Sequence, residues 1–447
     1  MRRSLVGKAA ATGGGGVDRL GALPDEILRH ALSFLPSRDA VRTCVLARRW
    51  RHLWKSAAAL RVTNVDTFRC ARHVNNFVNH LIVFRDRTPL RECEIAAYKE
   101  EHDDDGEEYY DSDGERLEHS QYIDLWVRYA LSCNARLLRI SDHDPNDLEA
   151  GHEPCIRNVL LAVPIFSQHL TTLELDGVLL STKCSNPLDF STCCPNLETL
   201  KMNRCSFQFL RPSDGPMNIS SQSVRCLSII GCDFRSLDQA RALISVPSVV
   251  YLELAVNYGL LPVFETMMPS LLTTSIKLDG SSNKDEEGGS LLLGRLSDST
   301  NLELIAYSQA FAFRKALKRC TTFSNLKTLS LNNWCVEPDF GPLLYFLRRS
   351  PNLERLNIRL SKPYQHVEET DGCYDSLEPL LASKHFVVAE IQYRTEDERV
   401  DKIFKDRIQI QTTHIQMQSS PMNIWTNSII SSHQVETSSV QSAKLER

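Results

Sequence analysis

The chain has 447 residues, 42% of them hydrophobic and 24% charged, a balance that suits a water-soluble protein of two or three domains with a sizeable core. Its formal net charge of -5 lacks the basic footprint of a nucleic-acid binder, and no segment approaches the roughly eighteen continuous apolar residues of a membrane span. The fourteen cysteines are scattered, without a CxxC pair and with Cys193-Cys194 adjacent, which suits reduced thiols inside a cell, in nucleus or cytoplasm, better than a zinc cage.

Residues 1–16 carry two arginines and the run Gly13 to Gly16 but no apolar stretch of signal-peptide length, and are expected to be a flexible N-terminus. From residue 17 to 56 the pattern is that of two short amphipathic helices. Pro24 suits the first helical position, Asp25 and Glu26 face the positive end of the dipole, and Leu28, Ala31, Leu32 and Leu35 follow at helical spacing until Pro36. Ser37 is placed to cap a second helix, which the spacing carries through Val41, Val45, Leu46, Trp50, Leu53 and Trp54 with arginines on its other faces. About forty residues with this much apolar surface fall below the size that usually folds alone, so a partner is implied.

The order Leu23-Pro24-Asp25-Glu26-Ile27-Leu28, Leu32-Ser33-Phe34-Leu35-Pro36, Asp39 to Leu46 and Arg48-Arg49-Trp50-Arg51-His52-Leu53-Trp54 resembles the plant form of the F-box. The resemblance implies binding to a Skp-type adaptor and, through it, a cullin. The adaptor-facing residues it implies are Leu23, Pro24, Ile27, Leu28, Leu32, Leu35, Val41, Val45, Leu46, Trp50, Leu53 and Trp54. An ordinary helical hairpin and an arginine-bearing helix-turn-helix are the competing readings, and the acidic net charge speaks against the second.

After the hairpin, loose apolar triplets at Leu60/Val62, Leu90/Cys93/Ile95 and Ala135/Leu138/Ile140 suggest irregular first repeats over 57–160. Helices are expected over Arg72 to Arg87 and Tyr122 to Ser132. Residues 100–118 hold eleven carboxylates and one arginine, a self-repelling block expected to be a solvated loop; its spacing fails the calcium-loop pattern, with Glu108 where a glycine is needed.

Over 161–380 an apolar residue is followed by others three and five positions on: Leu170/Leu173/Leu175, Leu197/Leu200/Met202, Val224/Leu227/Ile229, Val249/Leu252/Leu254, Leu302/Ile305/Tyr307, Leu326/Leu329/Leu331 and Leu353/Leu356/Ile358, with Ile276 and Leu278 in a degenerate copy. The period lies within or beside the 20 to 29 residues of a leucine-rich repeat. Cys205, Cys232, Asn257 and Trp334 stand three residues past the last apolar position of their triplets, where such repeats carry Asn or Cys. The expected fold is α/β: an N-terminal helical F-box followed by a leucine-rich-repeat solenoid, a horseshoe with a parallel sheet. A further helix is expected over Pro342 to Arg349. Residues 381–408, with His385 to Ile391 and Glu396 to Ile403, resemble part of the FBD region of plant F-box proteins, and 409–447, rich in Ser, Gln and Thr, is expected to be disordered.

No nucleotide loop, nucleophile elbow or metalloprotease motif is present, so a catalytic role, a metal and a cofactor are not expected. The resemblance implies a non-catalytic substrate-recognition subunit of an SCF-type cullin ubiquitin ligase, acting in ubiquitin-dependent degradation. Its unknown target protein is expected on the concave sheet face at Glu174, Asp176, Lys201, Asn203, Ser228, Glu253, Lys277, Ser330, Asn332, Asn357 and Arg359, with Ala306 and Ser308 also on that face. A scaffold outside any ligase and a small-molecule co-receptor are the alternatives. Neither nucleic acid nor membrane is an expected partner.

Overall fold

The computed structural model describes residues 20, 22–97, 112–142, 159–161, 165–181, 188–208, 217–234, 241–256, 260–278, 286–306, 322–332, 341–359, 380–381, 388–393, 408–409 and 414–419. A helical N-terminal region leads into one thirteen-stranded sheet. Its strands are Ala59–Val62, Glu92–Ala96, Leu137–Ser141, Thr172–Asp176, Thr199–Asn203, Cys226–Ile230, Tyr251–Val256, Thr273–Leu278, Asn301–Ala306, Thr328–Asn332, Arg355–Arg359, Val388–Tyr393 and His414–Ser419. They lie in chain order and pair with their neighbours in parallel. Parallel neighbours need a crossover, and the period read from the sequence is the length of one strand plus one crossover.

Alternation within each strand fixes the register. Leu60, Cys93, Leu138, Leu173, Leu200, Leu227 and Leu252 form one buried row, and Val62, Ile95, Ile140, Leu175, Met202, Ile229 and Leu254 the next. A repeated backbone device marks each layer, because two successive amides bond one carbonyl of the layer before. Glu198 and Thr199 N–H donate to Thr171 O, Arg225 and Cys226 to Glu198 O, and Lys327 and Thr328 to Thr300 O. Side-chain amides add a second link: Asn196 Nδ2 donates to Gln168 O and Asn352 Nδ2 to Ser324 O, both at 2.8 Å.

Two layers sit in a different register from the leucine pattern. Thr274 pairs with Leu252 and with Leu302, which in turn pairs with Leu329, so Thr274 and Leu302 hold the middle positions, not Ile276 and Ile305. The repeat that the sequence places at Leu302/Ile305/Tyr307 therefore begins three residues earlier, at Ser299. Ser299 and Thr274 are fully buried, and the Ser299 hydroxyl satisfies itself by donating to Leu296 O at 2.6 Å. Polar residues at two leucine positions hide the true phase.

Helix α1 spans Asp25–Leu32, with Pro24 at its N-cap rather than its first turn. Helix α2 is only Ser37–Arg42, and the expected long second helix is instead broken into short 3₁₀ turns at Thr43–Val45, Arg48–Arg51 and Leu53–Ser56. Ala47 breaks it by going fully extended, at φ -158°. Ser37 does not cap α2, since its hydroxyl accepts from Arg61 N–H at 2.9 Å.

Helices α3 (Ala71–Phe84) and α4 (Ser112–Ser132) pack together, with the fully buried Trp126 donating Nε1–H to Asn79 Oδ1 at 2.9 Å. Residues 112–118 of the acidic block are therefore helical rather than loop, in one unbroken helix with the run expected only from Tyr122. Residues 100–111 lie outside the described residues, as do Asn257, Trp334, most of the FBD-like stretch and most of the tail. Within the tail expected to be disordered, His414–Ser419 is the thirteenth strand, paired along Val388–Tyr393. Its alternating polar and apolar residues follow the two-residue period of a strand.

Candidate functional site

Helix α1 has two apolar faces with different fates. Leu28 and Leu32 are buried beside Leu53 and Trp54 in the core that continues into the sheet, and Leu23, Val41 and Trp50 are partly buried against it. Ile27, Phe34 and Leu35 point outward, and so do Val45 and Leu46, which are 83% and 68% exposed. Pro24 is also exposed. The twelve residues expected to face an adaptor thus divide, and Leu28, Leu32, Leu53 and Trp54 are covered by the chain itself. The physical reason is the end of the sheet: the buried rows that begin at Leu60 and Val62 would be wet without a cover, and this half of the hairpin supplies it.

Polar clasps hold that arrangement. Arg49 donates to Asp25 Oδ1 and to Leu23 O, both at 2.6 Å, bringing the Arg48–Arg51 turn against the start of α1. Arg38 donates to Thr67 Oγ1 at 2.6 Å and lies 4.3 Å over the Phe68 ring. Arg61 Nε donates to Ser33 O at 2.9 Å, tying the first strand to the end of α1.

The outward face of the sheet carries a row in direct register: Arg61, Glu94, Arg139, Glu174, Lys201, Ser228, Glu253, Ser275, Glu303, Ser330, Asn357, Glu390. Its first five members alternate in sign and pair with their neighbours. Arg61 bonds Glu92 and Glu94, Arg139 bonds Glu94 and Glu174, and Lys201 Nζ is 3.1 Å from Glu174. Burial alone would push the Glu174 carboxyl up, but Arg139 and Lys201 outweigh it and hold it below the ordinary value. Farther along, hydroxyls replace cations: Ser228 donates to Glu253 at 2.7 Å and Ser275 to Glu303 at 2.9 Å. One row over, Arg204 forms a fork on Asp176 at 2.8 and 3.0 Å, and Arg359 donates to Gln392 Oε1 at 3.0 Å.

Glu174, Asp176, Lys201, Asn203, Ser228, Glu253, Lys277, Ser330, Asn357 and Arg359 share this face, as does the backbone position of Asn332. The corrected register replaces Ala306 and Ser308 with Glu303 and Ile305. Arg61, Glu94 and Arg139 escaped the sequence reading, although each lies between two core residues (Leu60-Arg61-Val62, Cys93-Glu94-Ile95, Leu138-Arg139-Ile140) as Glu174 does.

Cys205 and Cys232 are buried, with Sγ 3.5 Å from Leu175 O and 3.4 Å from Met202 O respectively, each reaching a carbonyl of the layer before. Burial pushes the Cys93 thiol up to about 12 and raises Cys232 well above its usual range, so both stay protonated. Among the described residues no cluster of three or more His, Cys, Asp or Glu is placed to hold a metal ion, and no helix is long and apolar enough to cross a membrane.

The helical region has the sequence of a known module, for residues 20–58 match the F-box domain model. The chain carries an F-box domain. It is also homologous over most of its length to plant FBD-associated F-box proteins. One such protein of Arabidopsis thaliana is 26% identical over 402 residues, covering 85% of this chain and 84% of the relative. The meiotic F-box protein MOF of Oryza sativa subsp. japonica is 27% identical over 401 residues, 80% of this chain and 77% of its own. An F-box protein of Arabidopsis thaliana reaches 47% identity over 233 residues, 49% of this chain and 65% of the relative.

Proposed function

We propose that this chain is a non-catalytic substrate receptor of an SCF-type cullin ubiquitin ligase, intracellular and working in nucleus, cytoplasm or both. The F-box docks a Skp-type adaptor, which brings the cullin, while the repeats, read as a leucine-rich-repeat solenoid, hold a target protein on the outward sheet face. The observation that carries the adaptor half is the exposed apolar set Ile27, Phe34, Leu35, Val45 and Leu46 within a matched F-box. Large apolar side chains left outward beside a satisfied core are the anchors an adaptor groove buries. The mechanism is proximity: target lysines are held at high effective concentration near a thioester on another subunit.

The target half rests on the sheet face, where charged and hydroxyl residues of consecutive layers form a patterned surface. Because Arg61 to Lys201 neutralise one another, target contacts fall on the later layers around Ser228, Glu253, Lys277, Ser330, Asn357 and Arg359. Proximity labelling in plant cells, with and without proteasome inhibition, tests this reading. Adaptor and cullin should be labelled under both conditions, and at least one further protein should accumulate only when the proteasome is blocked. Labelling without any cullin would leave a scaffold outside the ligase and sink the proposal.

A further inference from the structure

The interior holds a cation that forms no ion pair with a carboxylate among the described residues. Arg85 is 7% exposed, directly follows α3, and its guanidinium is met by carbonyl oxygens alone among the hydrogen bonds the structure gives it. Nη2 donates to Ala57 O at 2.6 Å, and Nη1 to Trp54 O at 3.3 Å and Ala59 O at 3.5 Å. Those three oxygens span the joint at which the F-box ends and the first strand begins. A buried charge with only dipoles for partners is costly, so its position reflects something the apolar core cannot supply.

The rest of the same connection reinforces it. Asp86 N–H donates to Lys55 O at 3.0 Å, Ser56 Oγ donates to Asp86 Oδ2 at 2.8 Å, and Arg91 N–H donates to Ala58 O at 2.7 Å. Five carbonyls between Trp54 and Ala59 are thus engaged by residues 85 to 91. Ala57 and Ala58 bring little bulk of their own to this joint, so its backbone carbonyls are held by residues 85 to 91 in addition to the apolar cover that Leu28, Leu32, Leu53 and Trp54 supply.

We propose that Arg85 is a positioning residue that locks the F-box onto the sheet, so that the exposed Val45 and Leu46 surface and the outward sheet face move as one body. The consequence rests on the adaptor and target reading above: a target would meet the ligase at a fixed distance and angle rather than on a swinging arm. A lysine at this position keeps the charge and loses the fork, and so reaches fewer of the three carbonyls.

Hydrogen exchange by mass spectrometry on the full chain tests the assignment, comparing wild type, Arg85→Met and Arg85→Lys, with adaptor affinity measured in parallel. In Arg85→Met, peptides covering 54–60 and 85–92 should exchange at least tenfold faster, while peptides containing the Thr199 and Cys226 amides change less than twofold. Arg85→Lys should fall between the two, and it decides the matter alone if the methionine variant does not fold. Unchanged exchange at 54–60, or acceleration of the Thr199 and Cys226 peptides in step with the joint, would overturn the proposal, the latter by making Arg85 a general support of the core. Adaptor affinity should stay within threefold of wild type in both variants. Failure of the wild type itself to bind the adaptor would sink the ligase reading and leave the exchange result standing.

Discussion

The F-box and the sheet spend their apolar residues in opposite ways. Among the described residues fourteen large hydrophobic side chains are exposed, and six of them, Leu20, Ile27, Phe34, Leu35, Val45 and Leu46, fall within the first 46 positions. In the sheet, each layer from Ala59–Val62 to Arg355–Arg359 buries both of its leucine-type positions and turns mostly polar residues outward. A region that closes its own core leaves little apolar surface for a groove, so it is the short helical region that the proposed adaptor would complete. The comparison also refines what an amphipathic pattern means. Leu28 and Ile27 are neighbours in one motif, but one belongs to the sheet's core and the other to a surface.

The largest effect should come from the outward half. Replacing Val45 and Leu46 together with Asp places two charges in the proposed adaptor groove, and loss of central anchors at about 2 kcal/mol or more each predicts at least a hundredfold loss of affinity. Both side chains are mostly exposed, so the melting temperature should stay within a few degrees. Calorimetric titration with a Skp-type adaptor and a thermal scan separate the two quantities. Undiminished affinity would move the adaptor site elsewhere on the chain.

The inward half should behave in the reverse sense. Leu28→Ala leaves a cavity against Leu53 and Trp54 and is expected to cost roughly 2 to 5 kcal/mol of stability, while an adaptor titrated against the folded fraction should bind nearly as before. Chemical denaturation reads the loss. If Leu28→Ala instead abolishes binding at full stability, the division of the motif into two faces is wrong.

Much of this was legible in advance, and the failures have physical causes. The layers with leucine at every core position were found in register, as were Leu60, Cys93 and Leu138 in the irregular first layers. The phase slips where Thr274 and Ser299 stand in the core, because a buried hydroxyl, whether it bonds a local carbonyl as Ser299 does or finds no partner among the described residues as with Thr274, is indistinguishable by sequence from an exposed one. The adjoining Asn301-Leu302 imitates the true repeat starts Asn196-Leu197 and Asn352-Leu353, which drew the reading three residues too far. The motif in residues 23–54 was equally clear, but spacing gives the width of an apolar face and not which neighbour covers it.

The smallest effect tests the charged row, where two regions of the sheet again differ. Glu174 sits in the self-paired half, and its folded-state pKa is depressed below the ordinary 4.5 because Arg139 and Lys201 outweigh its burial. A carboxylate of this kind adds stability above its unfolded pKa and loses it as pH falls through the lower folded value. Partly exposed pairs are each worth about 1 kcal/mol or less, so Arg139→Met should cost about that much near neutral pH. Below the folded pKa of Glu174 the difference between wild type and variant should shrink, since the protonated carboxyl no longer rewards the arginine. Glu253, in the half where Ser228 takes the place of a cation, offers the control. Ser228→Ala removes a neutral donor and should give a smaller loss of stability with a weaker dependence on acid. Equal acid dependence in the two variants would show that the alternating signs of the first layers are incidental to their stability, and would return that half of the face to the candidate target surface.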